Sequence, residues 1–119
     1  MASTQRTIVL ASTALTVATT NGASLSVSPR SKKCIGYLVV SSPNGATTVA
    51  AKIQHSPDGV NGWTDFLTFT TTGAGVVANE VKLPVSDVLL PHIRAVVVLG
   101  GVTKIATVSV DLFVENYGG

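Results

Sequence analysis

The side chains able to act as nucleophiles, bases or metal ligands are few and widely spaced along the sequence. His55 and His92 are the only imidazoles, and Cys34 is the only cysteine. A structural zinc site takes about four Cys, His or carboxylate ligands, and no local cluster supplies them. A reactive cysteine needs a base beside it, and no motif places one next to Cys34. We therefore expect no catalytic residue, no metal site and no cofactor, and we predict that the protein is not an enzyme.

The carboxylates leave two alternatives open. Asp58, Asn61 and Asp65 supply oxygen atoms within one short segment, but their spacing does not match an EF-hand calcium loop. An irregular cation site built from them is the first alternative. The second is a pair of carboxylates that converge in the fold, as in a glycosidase. The acidic residues are Asp58, Asp65, Glu80, Asp87, Asp111 and Glu115.

One segment concentrates turn-forming residues and ends in the only tryptophan. Pro57 fixes the φ angle that the second position of a turn needs, Asp58 can bond nearby backbone amides, and Gly59 tolerates positive φ. Trp63 starts the returning strand and can cover the base of the loop. We predict a rigid structural corner, with an exposed Trp63 that stacks on carbohydrate as the alternative. The corner residues are Ser56, Pro57, Asp58, Gly59 and Trp63.

The elements that position these residues are predicted to be β-strands. Short runs rich in β-branched residues alternate with clusters of Gly, Pro, Asn and Ser, which favours an antiparallel β-sandwich or jelly-roll-like barrel of about eight or nine short strands. The pair Gly100-Gly101 predicts a two-residue hairpin loop, and residues 86–90 predict one turn of helix. The strands are predicted near residues 7–11, 14–19, 24–28, 34–41, 48–55, 63–71, 76–83, 93–99 and 103–114.

Alternation of apolar and polar residues predicts which faces of the strands are buried. Along residues 104–114 the even positions form an apolar, core-facing set and the odd positions are mostly polar, although Ile105 and Phe113 interrupt that polar set. Residues 94–99 are apolar on both faces, which predicts a strand covered on both sides.

The composition indicates that neighbouring molecules cover part of the surface. Charged residues make up 12% of the sequence, about half the usual share, while hydrophobic residues make up 45%. A monomer needs a charged surface to stay dispersed. We therefore expect a homo-oligomer, either a dimer or a trimer, built from a single domain over residues 1–119. The absence of a possible disulfide favours folding in a reducing cytoplasm.

Nucleic acid and membrane are not expected as partners. The net charge is only +2, and the basic cluster at Arg30, Lys32 and Lys33 lacks interleaved aromatic residues. That cluster is predicted to be a solvated loop, with docking to an acidic protein surface as the alternative. The longest strongly apolar stretch, residues 95–102, is far shorter than the roughly 18 residues of a membrane-spanning helix. Residues 8–15 resemble the apolar region of a signal peptide, but their threonines and serines favour a strand.

The N-terminal segment, residues 1–30, is predicted to be an arm or a strand exchanged between subunits. Addition of a strand to the sheet edge of a neighbour is a recurrent mode of association. The interface candidates from this segment and the basic cluster are Ile8, Leu10, Leu15, Val17, Arg30, Lys32 and Lys33.

The corner carries a resemblance to known families. A strand followed by Ser-x-Asp-Gly at 56–59 and Trp-Thr-Asp at 63–65 resembles small β-sandwich proteins of tailed-phage virions, above all capsid decoration or cement proteins. It is also similar to discoidin-like domains, but this chain is short for them and its single cysteine forbids their usual disulfide. The resemblance covers about 15 of 119 residues and transfers no site residue.

The resemblance implies a function in a virus particle. It implies a virion protein, made in the host cytoplasm, that stabilises the lattice of a major capsid protein through broad surface contacts. A tail, adaptor or head-fibre component is one alternative, and a small carbohydrate-binding module is another.

Overall fold

A computed structural model describes residues 3–27, 31–84 and 89–116. These residues form nine strands and contain no helix, so the prediction of an all-β fold is confirmed. No helix long enough to cross a membrane is found among them. The strands are β1 (Ser3–Leu15), β2 (Thr19–Asn21), β3 (Leu25–Ser26), β4 (Ser31–Ser41), β5 (Thr48–Ser56), β6 (Thr64–Thr68), β7 (Ala78–Lys82), β8 (His92–Gly100) and β9 (Ala106–Asn116).

The strands form two antiparallel sheets that pack into a β-sandwich, as predicted. The four-stranded sheet has the order β1-β9-β4-β7, and the five-stranded sheet has the order β2-β8-β5-β6, with β3 also beside β8. Because β2 and β3 follow one another along β8, they act as one interrupted strand. The chain changes sheet at every connection except β2–β3 and β5–β6. This order is that of a double-sheet jelly roll.

Alternation along the strands places the core between the two sheets. The even positions of β9 from Ala106 to Val114 are buried, as the sequence predicts, and β8 contributes Ile93, Ala95 and Val97. The sheets approach closely at Gly36, where a Cβ atom would lie 2.7 Å from the Leu67 side chain. Glycine is therefore required there by packing, not by backbone conformation.

The predicted Gly100-Gly101 hairpin is wrong. β8 and β9 lie in different sheets, so the segment between them crosses the end of the sandwich instead of reversing within one sheet. Gly101 has a φ of 102°, and a Cβ there would collide with the Ala46 carbonyl oxygen. The crossing is anchored by Thr47, whose hydroxyl donates to the Thr103 carbonyl and accepts from the Ile105 amide at 3.2 Å. The glycine pair signals a turn correctly, but it does not determine which strands pair.

The N-terminal residues, predicted to form two strands, form the single long strand β1. It pairs with β9 of its own chain, and its register shifts between Ile8 and Leu10 and again between Leu10 and Thr13. These irregularities let an edge strand bend along the sandwich. Exchange of β1 between subunits stays a prediction, as does a single domain over residues 1–119. The helical turn predicted at 86–90 lies mostly outside the described residues.

Candidate assembly surfaces

The corner after β5 is stabilised by hydrogen bonds within its own loop. Ser56 is fully buried, and its hydroxyl oxygen accepts from the Gly59 amide at 3.0 Å and donates to the Asn61 carbonyl. The Asp58 carboxylate accepts from the amides of Val60 at 2.8 Å and Asn61 at 2.7 Å. These backbone donors hold the pKa of the Asp58 carboxyl below its usual range. The corner is thus held by hydrogen bonds from its own side chains to its own backbone.

Gly59 fixes this corner against the first residue of β8. Its φ is 78°, which disfavours any residue with a side chain. A Cβ atom at Gly59 would lie 2.9 Å from Nδ1 of His92 and 3.1 Å from Oγ of Ser24. The loop backbone at Gly59 therefore packs directly onto its neighbours. Ser56, Asp58 and Gly59 are joined by hydrogen bonds, whereas the contact made by Trp63 is with Arg94 of β8. Covering of the loop base by Trp63 stays a prediction.

The outer face of the five-stranded sheet carries a connected set of polar side chains, which we call the polar network. Arg94 lies over the half-buried Trp63, with 4.4 Å between its guanidinium carbon and the ring centroid. Nε and Nη2 of Arg94 both donate to Oε1 of Gln54, at 3.0 and 2.9 Å. Gln54 donates to Asp65 at 3.0 Å, and Lys52 pairs with the same carboxylate at 3.1 Å. The network comprises Lys52, Gln54, Trp63, Asp65 and Arg94.

The polar network lowers the pKa of one carboxyl group and covers one face of the Trp63 ring. The pKa of the Asp65 carboxyl is lowered mainly by its hydrogen bond from Gln54 and secondly by its hydrogen bond from Lys52. Because Arg94 covers one face of the Trp63 ring, that face is not free to stack on a sugar. A depression of about 240 Å³ beside the network is lined by residues that include Lys52, Thr68 and Val96.

The three residues considered first for catalysis lie in separate environments. His55 faces the core beside Phe66, and its Nδ1 accepts from the Leu90 amide at 3.2 Å. Burial lowers the pKa of His55, and burial also raises the pKa of the Cys34 thiol, so a neutral imidazole and a protonated thiol are favoured. His92 contacts the corner. Among the described residues, no group of three His, Cys, Asp or Glu side chains could hold a metal ion.

The outer face of the four-stranded sheet centres on an incompletely paired carboxylate. Asp111 is only 3% exposed, although it lies on the outward-facing side of β9, between Ile8 of β1 and Tyr37 of β4. Its Oδ2 pairs with Nη2 of Arg6 at 2.9 Å, and the Arg6 side chain is 59% exposed. Its Oδ1 is buried and has no hydrogen-bond partner among the described residues.

Apolar side chains surround Asp111 on all four strands. Strand pairing places them on the same face, and we call them, with Asp111 and Arg6, the apolar face. Ile8, Ile35 and Val81 are exposed, and the others are half-buried. The apolar members are Ile8, Ile35, Tyr37, Val39, Val81 and Phe113.

Strand β7 reverses the usual distribution of polar and apolar residues. Glu80 pairs with the core residue Leu38 and therefore faces the other sheet, where its carboxylate accepts from the Thr70 amide at 2.7 Å. Val81 points away from the core and is 64% exposed. Inward-pointing charges protect a sheet edge from pairing with other strands. β7 therefore leaves an apolar side chain exposed on the outer face of the sheet.

A second group of exposed apolar residues lies at one end of the sandwich. Val17 belongs to the β1–β2 loop, Val76 and Val77 to the β6–β7 loop, and Val102 to the β8–β9 loop. The β6–β7 and β8–β9 loops are tied together through Thr47, whose carbonyl accepts from the Gly75 amide and whose hydroxyl anchors the β8–β9 crossing. This end therefore presents valines on an ordered framework.

The interface candidates chosen from the sequence are distributed over several environments. Ile8 lies in the apolar face and Val17 in the loop end, whereas Leu10 and Leu15 pack against the chain's own core. Lys32 and Lys33 belong to β4, and Arg30 lies outside the described residues. A role in contacts between chains stays a prediction for all seven.

Sequence reasoning missed the pairing of Arg6 with Asp111 and the exposed residues on β4 and β7. One signal was available: Ile105 and Phe113 interrupt the polar side of β9, and Asp111 lies between them. A carboxylate among outward-facing apolar residues indicates a face that is not simply solvated.

The architecture defines a jelly-roll β-sandwich, and comparison with solved structures finds the same fold in virus particles. The VP2 subviral particle of infectious bursal disease virus matches with a TM-score of 0.67 and 15% identity, over 99% of this chain and 34% of that chain. The Gx strain of that virus gives 0.66 and 18% over 99% and 33%, and its T=1 particles give 0.66 and 14% over 99% and 32%.

These similarities establish the fold. The chain spans about a third of the length of the viral chains it matches. No protein-family model matches the sequence, and the search of curated proteins gave no match.

Proposed function

We propose that this chain is a non-enzymatic structural domain of a virus particle. The observation that carries the proposal is the apolar face: an ordered sheet presents Ile8, Ile35 and Val81 to the outside around a carboxylate with one unpaired oxygen. An antiparallel sheet with solvent on one side normally shows polar residues there. A particle subunit buries such a face against its neighbours, which is consistent with the low charge content.

The comparisons support this proposal through the fold. The three structures described above come from infectious bursal disease virus, two of them described as a subviral particle or as T=1 particles. Jelly rolls also occur in lectins and cupins, so the fold alone does not determine the function. The proposed role in a virus particle therefore rests on the apolar face together with the fold.

Within the particle, we propose a capsid decoration protein that forms a small oligomer and contacts the major capsid protein. A phage host is part of this proposal and rests on the corner at 56–65. Virion localisation follows from the same role. Tail, adaptor and head-fibre positions remain alternatives within the proposal.

A second candidate is one domain of a shell-building protein. It is favoured by the match of 99% of this chain to about a third of a chain that itself forms particles. A carbohydrate-binding module is less well supported, because Arg94 already covers one face of Trp63 at 4.4 Å.

The test is the location and copy number of the chain in particles purified from the virus or lysogen that encodes it. Quantitative mass spectrometry should find it at a fixed ratio to the major capsid protein, and immunogold labelling should mark the capsid surface. Labelling confined to the neck or tail would contradict decoration, and a ratio equal to that of the shell itself would favour the second candidate. Absence from purified particles would overturn the proposed function.

A further inference from the structure

We infer that the apolar face is a contact between two copies of this chain related by a two-fold axis, in which Arg6 of each copy donates to Asp111 of the other. The inference rests on the proposed function, because a structural domain of a virus particle needs contacts with neighbouring molecules. It assigns one surface, one partner and one polar interaction at its centre.

The apolar face exposes side chains that burial against another molecule would stabilise. β7 directs the half-buried Glu80 towards the other sheet and Val81 away from it, so the apolar residue of this pair lies on the outer face. Ile8 on the opposite edge strand is also outward and 51% exposed. Both edge strands and both central strands thus place apolar side chains on one outer face, and grouped exposed apolar side chains mark protein contacts.

Oδ1 of Asp111 has no hydrogen-bond donor within the described part of the chain. A buried acceptor without a hydrogen bond is unfavourable, and a buried carboxylate oxygen more so than a neutral one. Oδ1 of Asp111 is such an acceptor among the described residues, whereas Oδ2 is paired with Arg6. A covering molecule that brings an N–H group would remove this deficit.

The donors and the acceptor of the apolar face identify the covering molecule as a second copy. A guanidinium has five N–H donors, and the contact with Asp111 involves one terminal nitrogen of Arg6. The face therefore contains both an unused acceptor and unused donors, so it is complementary to itself. A two-fold contact sets one patch against the identical patch and satisfies both copies equally.

The geometry of a sheet sandwich suits this pairing. Two sheets stack about 10 Å apart with interdigitating side chains, which Ile8, Ile35 and Val81 can supply from each copy. Because Oδ1 is closed to solvent in the isolated chain, side chains of the apolar face must shift as the faces meet. The small net charge of +2 gives two copies little mutual repulsion.

The test is sedimentation of the purified chain over a range of concentrations, with one matched pair of variants. Val81→Lys places a charge in the apolar face, and Val98→Lys places the same charge on the outer face of the five-stranded sheet, where Val98 is 42% exposed. We expect the wild type and Val98→Lys to dimerise alike and Val81→Lys to dimerise at least about tenfold more weakly. Circular dichroism should show all three folded.

A cysteine variant gives a second readout that does not depend on affinity. Ile8→Cys lies near the proposed axis, and the native Cys34 is buried. Mild oxidation should link Ile8→Cys chains into disulfide dimers and leave Val98→Cys monomeric. A monomeric wild type, or equal weakening by Val81→Lys and Val98→Lys, would overturn the inference.

The outcomes separate this inference from the proposed function. A dimer that depends on Val81, in a chain absent from purified particles, would support the inference and overturn the proposed function. Virus particles in which Ile8→Cys forms no link between copies would overturn the inference and leave the function standing. A wild type that is monomeric alone but binds another capsid protein through Val81 would overturn the two-fold contact in favour of that partner.

Discussion

The two outer faces of the sandwich differ in how their charged side chains are paired. The five-stranded sheet covers its outside with the polar network, in which Arg94 binds Trp63 and Gln54 within the chain. The four-stranded sheet presents the apolar face, in which Arg6 satisfies only one oxygen of Asp111. Each face contains an arginine and an aspartate. On the five-stranded sheet, Arg94 and Asp65 both bind other side chains of the polar network. On the four-stranded sheet, Oδ1 of Asp111 has no hydrogen-bond partner among the described residues.

This difference distinguishes a face suited to solvent from a face suited to a partner. Exposed polar groups that bond one another and water carry little energetic penalty. A carboxylate oxygen closed off from water and left without a donor does carry one. Hydrophobic surface alone would not separate the faces, because Val98 is exposed on the polar side as well. The unsatisfied acceptor is the more informative feature.

The largest expected effect comes from removing the arginine of each face in turn. Arg6→Ala leaves the Asp111 carboxylate buried and unpaired, and should lower the free energy of unfolding by about 1–3 kcal/mol. Arg94→Ala removes a cation–π contact and hydrogen bonds to the neutral amide of Gln54, leaves no charge without a partner, and should cost about 0.5–1 kcal/mol. Urea denaturation of both variants measures the difference. Equal losses would remove the distinction between the faces.

The corner next to the polar network offers a backbone test. Gly59→Ala should destabilise the protein by about 1–3 kcal/mol, because φ is 78° and the new methyl group would meet His92. Gly45→Ala is the matched control, since no atom lies within 4 Å of the position of its Cβ. Thermal melting compares the two. A neutral Gly59→Ala would show that the corner is not held rigidly against β8.

The core beneath the polar network should respond to pH through His55. Burial lowers the pKa of His55 in the folded chain, so the unfolded chain binds a proton first as the pH falls below about 6.5. The free energy of unfolding should therefore decrease below that pH, by at most about 1.4 kcal/mol per pH unit for this group. Urea denaturation between pH 7.5 and 5 measures the slope. His55→Gln should flatten it, and an unchanged slope would contradict the assignment.

The smallest expected effect concerns the ion pair of the polar network. Lys52→Gln removes the 3.1 Å contact with Asp65, which is partly exposed, and should cost about 0–1 kcal/mol. The loss should shrink in 1 M salt, where the Debye length is about 3 Å. Unfolding at two salt concentrations measures it. A large, salt-independent loss would mean that the ion pair is less solvated than the partial exposure of Lys52 and Asp65 indicates.

The all-β class and the buried face of β9 could be predicted from the sequence, because alternation and turn chemistry are local signals. The pairing of strands could not. Gly100-Gly101 signals a turn whether the chain reverses within a sheet or crosses to the other one. The reversed polarity of β7 was hidden for the same reason, since the orientation of Glu80 depends on its pairing with Leu38.

The candidate site was predictable only in part. Ile8 was selected from an apolar N-terminal run, and the structure places it in the apolar face. The burial of Asp111 depends on β1, whose partner Ile8 lies about a hundred positions earlier in the sequence. No local pattern reports such a contact. Arg6 was overlooked because an isolated arginine near a chain end has no spacing to interpret.

The position of β9 has a consequence for how the protein is made. β9 is the last strand of the fold, yet it lies between β1 and β4 and joins them. At a synthesis rate of about 5–20 residues per second, the 65 residues from Ser41 to Ala106 take roughly 3–13 s. During that time β1 and β4 have no strand to join them, so the apolar face does not yet exist. The apolar face can therefore form only after the residues of β9 have been synthesised and have paired with both β1 and β4.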